Sequence, residues 1–163
     1  MSESGETVYV REALLTDLEA IVAFNRGLAR ETEGKSLDLA VLTRGVHTAL
    51  EAPERLRYWI AESVVTGRVV GQAAITREWS DWRNGWIWWF QSVYVDLDFR
   101  RRGIFRALHT SIRTAALDAG DVIGLRLYVE QDNSRAHKTY HALGMSAGGY
   151  HVFEELWPER FNR

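Results

Sequence analysis

Val93-Tyr94-Val95-Asp96-Leu97-Asp98-Phe99-Arg100-Arg101-Arg102-Gly103-Ile104-Phe105-Arg106 is the stretch on which the reading of this sequence turns. An apolar strand end passes through a charged turn into a run with Ile104, Leu108, Ile112 and Ala115 at helical spacing, stopped by Gly120. A helix start presents backbone N–H groups with no internal partner and about half a positive elementary charge of dipole, so it suits an anion. Gly103 permits close approach there. Arg100, Arg101, Arg102 and Arg106 add guanidinium forks that match phosphate oxygens.

Upstream, Tyr58 to Val65, Arg68 to Trp79 and Trp86 to Val95 have strand character, with turns at Thr66-Gly67 and Asp81 to Gly85, which predicts an antiparallel meander. Earlier still, Val8 and Val10 alternate as a short strand, and Thr16-Asp17-Leu18-Glu19 is a capping-box pattern. Leu18, Ile21, Val22, Asn25, Leu28 and Ala29 then recur at helical spacing, Ala29 to Leu37 reads as a polar loop, and Asp38 caps a second helix to about Leu50. Downstream come a strand from Val122 to Val129 and a helix from about Asn133 to Leu143 ended by Gly144. Met145 to Trp157 leaves room for one or two last strands. This order predicts an α/β fold of the α+β type: a mixed, mostly antiparallel central sheet of six to seven strands flanked by about four helices. The expected organisation is one domain over residues 1–163, with about 1–7 a flexible tail.

Composition narrows the function classes. Apolar residues at 46% and charged residues at 26% describe a folded chain, not a disordered one. The lack of any apolar run near the roughly 20 residues of a membrane helix, and of a secretion signal in MSESGETVYV, leads us to expect a cytoplasmic protein with no membrane partner. The absence of cysteine removes disulfides and thiol nucleophiles, and a formal charge of −2 argues against nucleic acid as a partner. His137 and His141 share a helix face, but no third ligand is suggested, so no metal is expected. Phosphate-binding P-loop, dinucleotide and serine-hydrolase motifs are missing.

The basic turn resembles the acetyl-coenzyme A pyrophosphate loop of the GNAT (N-acetyltransferase) superfamily, Arg/Gln-x-x-Gly-x-Gly/Ala. Arg100-x-x-Gly103-x-Phe105 meets it except at the last position, where the phenyl ring must point away from the phosphates or narrow the site. A second stretch, Asn133-x-x-Ala136-x-x-x-Tyr140-x-x-x-Gly144-Met145, is similar to the family's Asn-x-x-Ala-x-x-x-Tyr-x-x-x-Gly-Phe, with Met145 in place of Phe. Val10-Arg11-Glu12-Ala13 followed by Asp17 looks like the family's opening strand and helix. The resemblance implies a GNAT-like fold and acetyl-coenzyme A as acyl-donor cosubstrate. It implies that Val93, Tyr94, Val95, Arg100, Arg101, Arg102, Gly103, Ile104, Phe105, Arg106 and Asn133 hold the coenzyme. It implies direct attack by a primary amine of a small molecule, with Tyr140 as the general acid that protonates the departing thiolate. The competing readings are a non-catalytic acyl-coenzyme A binding or sensing module, and an acetyltransferase for protein N-termini or lysines.

On the acceptor side the candidates are Glu31 and Glu33, in the polar loop, with Trp89 and Gln91. Strict alternation places Trp86, Trp88, Phe90, Ser92 and Tyr94 opposite Ile87, Trp89, Gln91, Val93 and Val95. Most of these rings are expected to fill core or a homodimer contact. A minority are expected to hold an alkylammonium by cation–π attraction, with Glu31 or Glu33 opposite it. Glu31, Glu33, Asp81 and Glu130 remain open as the base.

Overall fold

A computed structural model describes residues 7–161; apart from Thr7, the expected N-terminal tail lies outside the described residues. The chain forms two compact units, one ending at Leu127 and the other beginning at Tyr128. The first contains β1 (Val8–Glu12), α1 (Leu18–Glu33), α2 (Leu39–Glu51), β2 (Arg57–Ser63), β3 (Val69–Ser80), β4 (Gly85–Val95), α3 (Ile104–Asp118) and β5 (Val122–Leu127). The strands lie in the order β1-β2-β3-β4-β5, antiparallel from β1 to β4, with β5 parallel to β4. A parallel neighbour cannot be reached by a hairpin, and α3 supplies the crossover.

Both sheet faces are covered. On one, Trp59, Ala61, Ala73, Ile75, Trp88 and Phe90 form a core with Ile104, Leu108, Ile112 and Ala116 of α3. On the other, Tyr58, Ile60 and Ala74 meet Ile21 and Val22 of α1 and Val46 and Ala49 of α2. Burial on both sides explains why Tyr58 to Ala61 of β2 and Val69 to Ile75 of β3 read as almost continuous apolar runs, with the polar Gln72 as an exception.

β4 departs from strict alternation. Ile75 pairs with Phe90 and Ala74 with Ser92, so Gln91 is an extra residue without a partner of its own. The bulge switches the pattern: Trp88 and Phe90 before it, and Val93 and Val95 after it, all pack on the α3-side core. Tyr94 turns instead toward Phe24 of α1, with ring centroids 5.2 Å apart.

Two further expectations are corrected. The segment read as a polar loop from Ala29 is helical through Glu33 and ends at Gly34, whose φ of 61° is the left-handed cap geometry. Its last turn is exposed and carries no apolar mark for the helix to be read by. Among the described residues there are five strands, not six to seven. The second unit holds α4 (Ser134–Ala142) and a short helical turn at Pro158–Arg160, while residues 145–157 are neither strand nor helix. Apolar alternation becomes a strand only where a ladder accepts its N–H and C=O groups, and Gly148-Gly149 adds to the entropy cost of extending that segment. With α1 to α4 the helix count is as expected. Among the described residues no helix is long and apolar enough to cross a membrane.

The turn leading into α1 is fixed by Asp17, which is buried. Asp17 and not Thr16 is the N-cap, and its side chain makes no cap bond to α1, so the capping-box pattern of Thr16 to Glu19 is not what opens the helix. Its carboxylate accepts two bonds from Arg11, at 2.8 and 3.1 Å, and one from the Leu14 amide at 2.7 Å; Arg11 also reaches Glu62 at 3.2 Å. Burial alone raises the Asp17 carboxyl, but the Arg11 and Leu14 bonds outweigh it and hold it below its usual range. Asp17→Asn is therefore expected to cost about 1–2 kcal/mol at neutral pH. Because the folded-state value is depressed, this contribution is present above the unfolded carboxyl value, near 4. It is lost as pH falls through the lower folded value, so urea denaturation of the two proteins should converge in acid. A pH-independent gap would refute the assignment.

Candidate functional site

The site is built where β4 and β5 part. Their parallel ladder runs from Trp86 opposite Val122 to Phe90 opposite Leu127, whereas β4 stays paired with β3 as far as Val95 opposite Gly71. Among the described residues, Ser92 to Val95 are thus laddered on one edge only, and the bulged Gln91 on neither. This edge contains the expected Val93, Tyr94 and Val95.

Beyond Val95 a short turn at Leu97–Phe99 leads to Arg101, with φ 66°, and Gly103, with φ 82°. The first bond of α3 runs from the Ala107 amide to the Gly103 carbonyl at 3.0 Å, so the amides of Ile104 to Arg106 precede its internal ladder. Ile104 is buried and pins this turn to the core, while Arg101, Arg102 and Arg106 are exposed. A Cβ added at Gly103 would meet no atom within 4 Å, so the space before the helix is open. Phe105 directs its ring toward Phe90 and His109, at centroid distances of 6.4 and 6.2 Å, which is the core side of α3. The donor set and the open approach fit a diphosphate-sized anion.

Arg100 has other partners. Its Nε donates to the Val95 carbonyl at 3.0 Å and its Nη2 to Glu31 Oε2 at 2.7 Å, and the guanidinium lies 5.3 Å from the centre of the Tyr94 ring. Tyr94 donates its hydroxyl proton to Glu31 Oε1 at 2.8 Å. Burial works against the Glu31 charge, but bonds from Arg100 and Tyr94 prevail and lower its carboxyl below the usual range; burial and the adjacent carboxylate raise Tyr94. Gly27 admits this cluster, since a Cβ there would stand 2.8 Å from the Tyr94 hydroxyl oxygen.

Beside Tyr94 runs a largely buried polar chain that the sequence did not single out. Gln72, the cross-strand partner of Tyr94, donates to Asn25 Oδ1 at 2.8 Å, and Asn25 donates to the Tyr58 hydroxyl at 3.1 Å. Gln72 is fully buried and its Oε1 has no hydrogen-bond partner among the described residues. The available signal was a polar residue inside an apolar pattern, Asn25 in the α1 stripe and Gln72 between Val70 and Ala73.

The other acceptor-side candidates are not gathered with Glu31. Glu33 pairs with Lys35. Trp89 donates to Glu78 and lies under Arg126, and Gln91 donates to Thr76 Oγ1 at 2.7 Å. Trp88 is core, while Trp82, at the β3–β4 turn, is 87% exposed. In the second unit, Asn133 caps α4 by accepting from the Ala136 amide at 3.1 Å. Tyr140 lies on α4, half-buried, and burial raises its hydroxyl above the ordinary value.

The sequence model of the acetyltransferase (GNAT) family matches residues 21–145. Among solved structures, a protein described as a possible acetyltransferase from Clostridium difficile 630 is 43% identical, covering 93% of this chain and 99% of its own, with a TM-score of 0.84. An aminoglycoside N-acetyltransferase in complex with CoA shares the fold at 18% identity, covering 96% of this chain and 99% of its own, with a TM-score of 0.74. So does a ribosomal-protein-alanine N-acetyltransferase from Brucella melitensis biovar Abortus 2308, at 16% identity over 93% of this chain and 100% of its own, with a TM-score of 0.72. No curated protein matches.

Two glycine substitutions separate backbone strain from crowding. Gly103→Ala adds a methyl group into open space at positive φ, so a loss of about 1 kcal/mol arises from the backbone alone. Gly27→Ala drives its Cβ against the Tyr94 hydroxyl, so it should lose stability despite the better helix propensity of alanine. Urea denaturation measures both, and unchanged midpoints would show the left-handed turn or the close approach to be wrong.

Proposed function

The chain belongs to the GNAT family of acetyltransferases, and from that premise we propose that it is a cytoplasmic N-acetyltransferase that moves an acetyl group from acetyl-coenzyme A to a primary amine of a small molecule. The observation that carries the reading is the one-sided edge of β4 from Ser92 to Val95, followed after one short turn by the Gly103 start of α3. An amide-containing arm adds to such an edge as an extra strand would, and a diphosphate suits the helix start.

When bound, acetyl-coenzyme A supplies the acyl group as an activated thioester. The backbone of Val93, Tyr94 and Val95 aligns its arm, and the first-turn amides of α3, with Arg101, Arg102 and Arg106, hold its diphosphate. Asn133 sets the start of α4 through the Ala136 amide. Tyr140 keeps its proton at neutral pH, since burial moves its hydroxyl further above neutrality, and it gives that proton to the thiolate as it leaves. With no cysteine in the chain, the amine attacks the thioester carbonyl directly: its nitrogen bonds to the acyl carbon, the carbon–sulfur bond breaks, and the nitrogen's surplus proton passes to water. Aminoglycoside acetyltransferases share this fold, which is consistent with a small-molecule acceptor, and so does a ribosomal-protein-alanine N-acetyltransferase.

Calorimetry should detect acetyl-coenzyme A binding, and thiol release should rise above the blank with at least one member of a panel of primary amines. Binding without release from any amine would favour a sensing module. Tyr140→Phe is expected to lower kcat about a hundredfold with acetyl-coenzyme A affinity unchanged. Full turnover in that variant would remove its role as the acid.

A further inference from the structure

We propose that Arg100 is a latch shared between two anions: before coenzyme binds it holds Glu31 of α1, and on binding its guanidinium passes to the diphosphate, which makes Glu31 a built-in competitor of the coenzyme. The inference rests on the coenzyme reading of the β4 edge and the α3 start.

Arg100 is tethered and yet movable. Its Nε is fixed to the carbonyl of Val95, the last residue of β4, and this bond holds the side chain at the junction of strand and turn. Its Nη2 end extends to Glu31, sixty-nine positions away in sequence. Arginine and carboxylate are each 35% exposed, and an ion pair so open to water is weak. A diphosphate offers the same planar fork several charged oxygens, including a two-point grip. Arg100 also stands three residues before Gly103, within the same turn. An exchange of partner therefore replaces one exposed charge pair by a stronger one and leaves Glu31 with the Tyr94 hydroxyl and the nearby charge of Arg30. Because Glu31 lies in the last turns of α1, its bond to Arg100 ties that helix end to the loop.

The latch predicts a sign that a plain structural brace does not. Breaking a brace loosens the site and weakens binding, whereas removing a competitor strengthens binding even as the unbound protein loses an interaction. Isothermal titration of acetyl-coenzyme A into the full chain tests this. Glu31→Gln should bind roughly two- to fivefold more tightly than the parent, the scale set by loss of one exposed ion pair, while its thermal midpoint without coenzyme falls. Arg100→Gln should bind more weakly, and Glu31→Gln added to Arg100→Gln should bring no further tightening. Asp98→Asn, which removes an equal charge two residues from Arg100, should have the smaller effect. Equal or weaker binding by Glu31→Gln would overturn the latch. So would tightening that persists in the Arg100→Gln background, or that Asp98→Asn matches, since general electrostatics would then account for it. If Arg100→Gln does not fold, the comparison of Glu31→Gln with Asp98→Asn decides. Failure of the parent itself to bind acetyl-coenzyme A would sink the coenzyme reading and the latch together, whereas binding without tightening would sink the latch alone.

Discussion

The separation of β4 from β5 after the Phe90–Leu127 pair is the constraint on which the site depends. A parallel strand requires a crossover, and the buried stripe of α3, from Ile104 through Leu108 and Ile112 to Ala116, fixes that crossover against the sheet. Its N-terminus is thereby delivered to the carboxyl end of β4. Within residues 92–106 the backbone then presents two kinds of unsaturated polarity: a strand edge with, among the described residues, a neighbour on one side only, and the first amides of a helix. Sealing both from water would be costly. The open space before Gly103 leaves them approachable.

The two faces of the sheet play different parts around this opening. The α3 face is packed almost wholly with apolar side chains. Under α1, a row of polar groups follows the sheet, with Tyr58 and Gln72 buried and Asn25 half-buried at one end and Tyr94, Glu31 and Arg100 emerging at the other. Burying an amide oxygen without a partner, as at Gln72, costs roughly 1–3 kcal/mol. The polar face is therefore not the cheapest way to pack α1, and its outer end is where helix and loop are coupled.

The elements that carry local signals were legible in the sequence. Asp38 caps α2 as expected, by accepting from the Ala40 and Val41 amides, and the turn from Arg100 through Gly103 into α3 stands where the sequence places it. What stayed hidden has physical causes. The bulge at Gln91 could not be read because both faces of β4 are apolar, so inserting one residue disturbs no visible alternation. The end of α1 was missed because its last turn touches solvent and has no apolar stripe. The cluster of Glu31, Tyr94 and Arg100 joins residues sixty-three and sixty-nine positions apart, and no local pattern encodes such a contact.

Phe105 shows how the fold absorbs a departure from a motif. A large ring where the family has Gly or Ala threatens the space before the helix, but here the ring has gone the other way. It meets Phe90, the last β4 residue paired with β5, and His109, which stacks on Phe90 at 6.0 Å. The three rings lie at the point where the strands begin to diverge. Burial, reinforced by the charge of Arg113, lowers His109 below its usual range, so the stack is neutral at physiological pH and suits an apolar wedge. A smaller residue at this position would leave unfilled volume beside Phe90, about one turn before His109 on α3. The Phe105 ring is thus taken up by packing between α3 and β4, and the backbone at Phe105 keeps its place in the first turn of the helix.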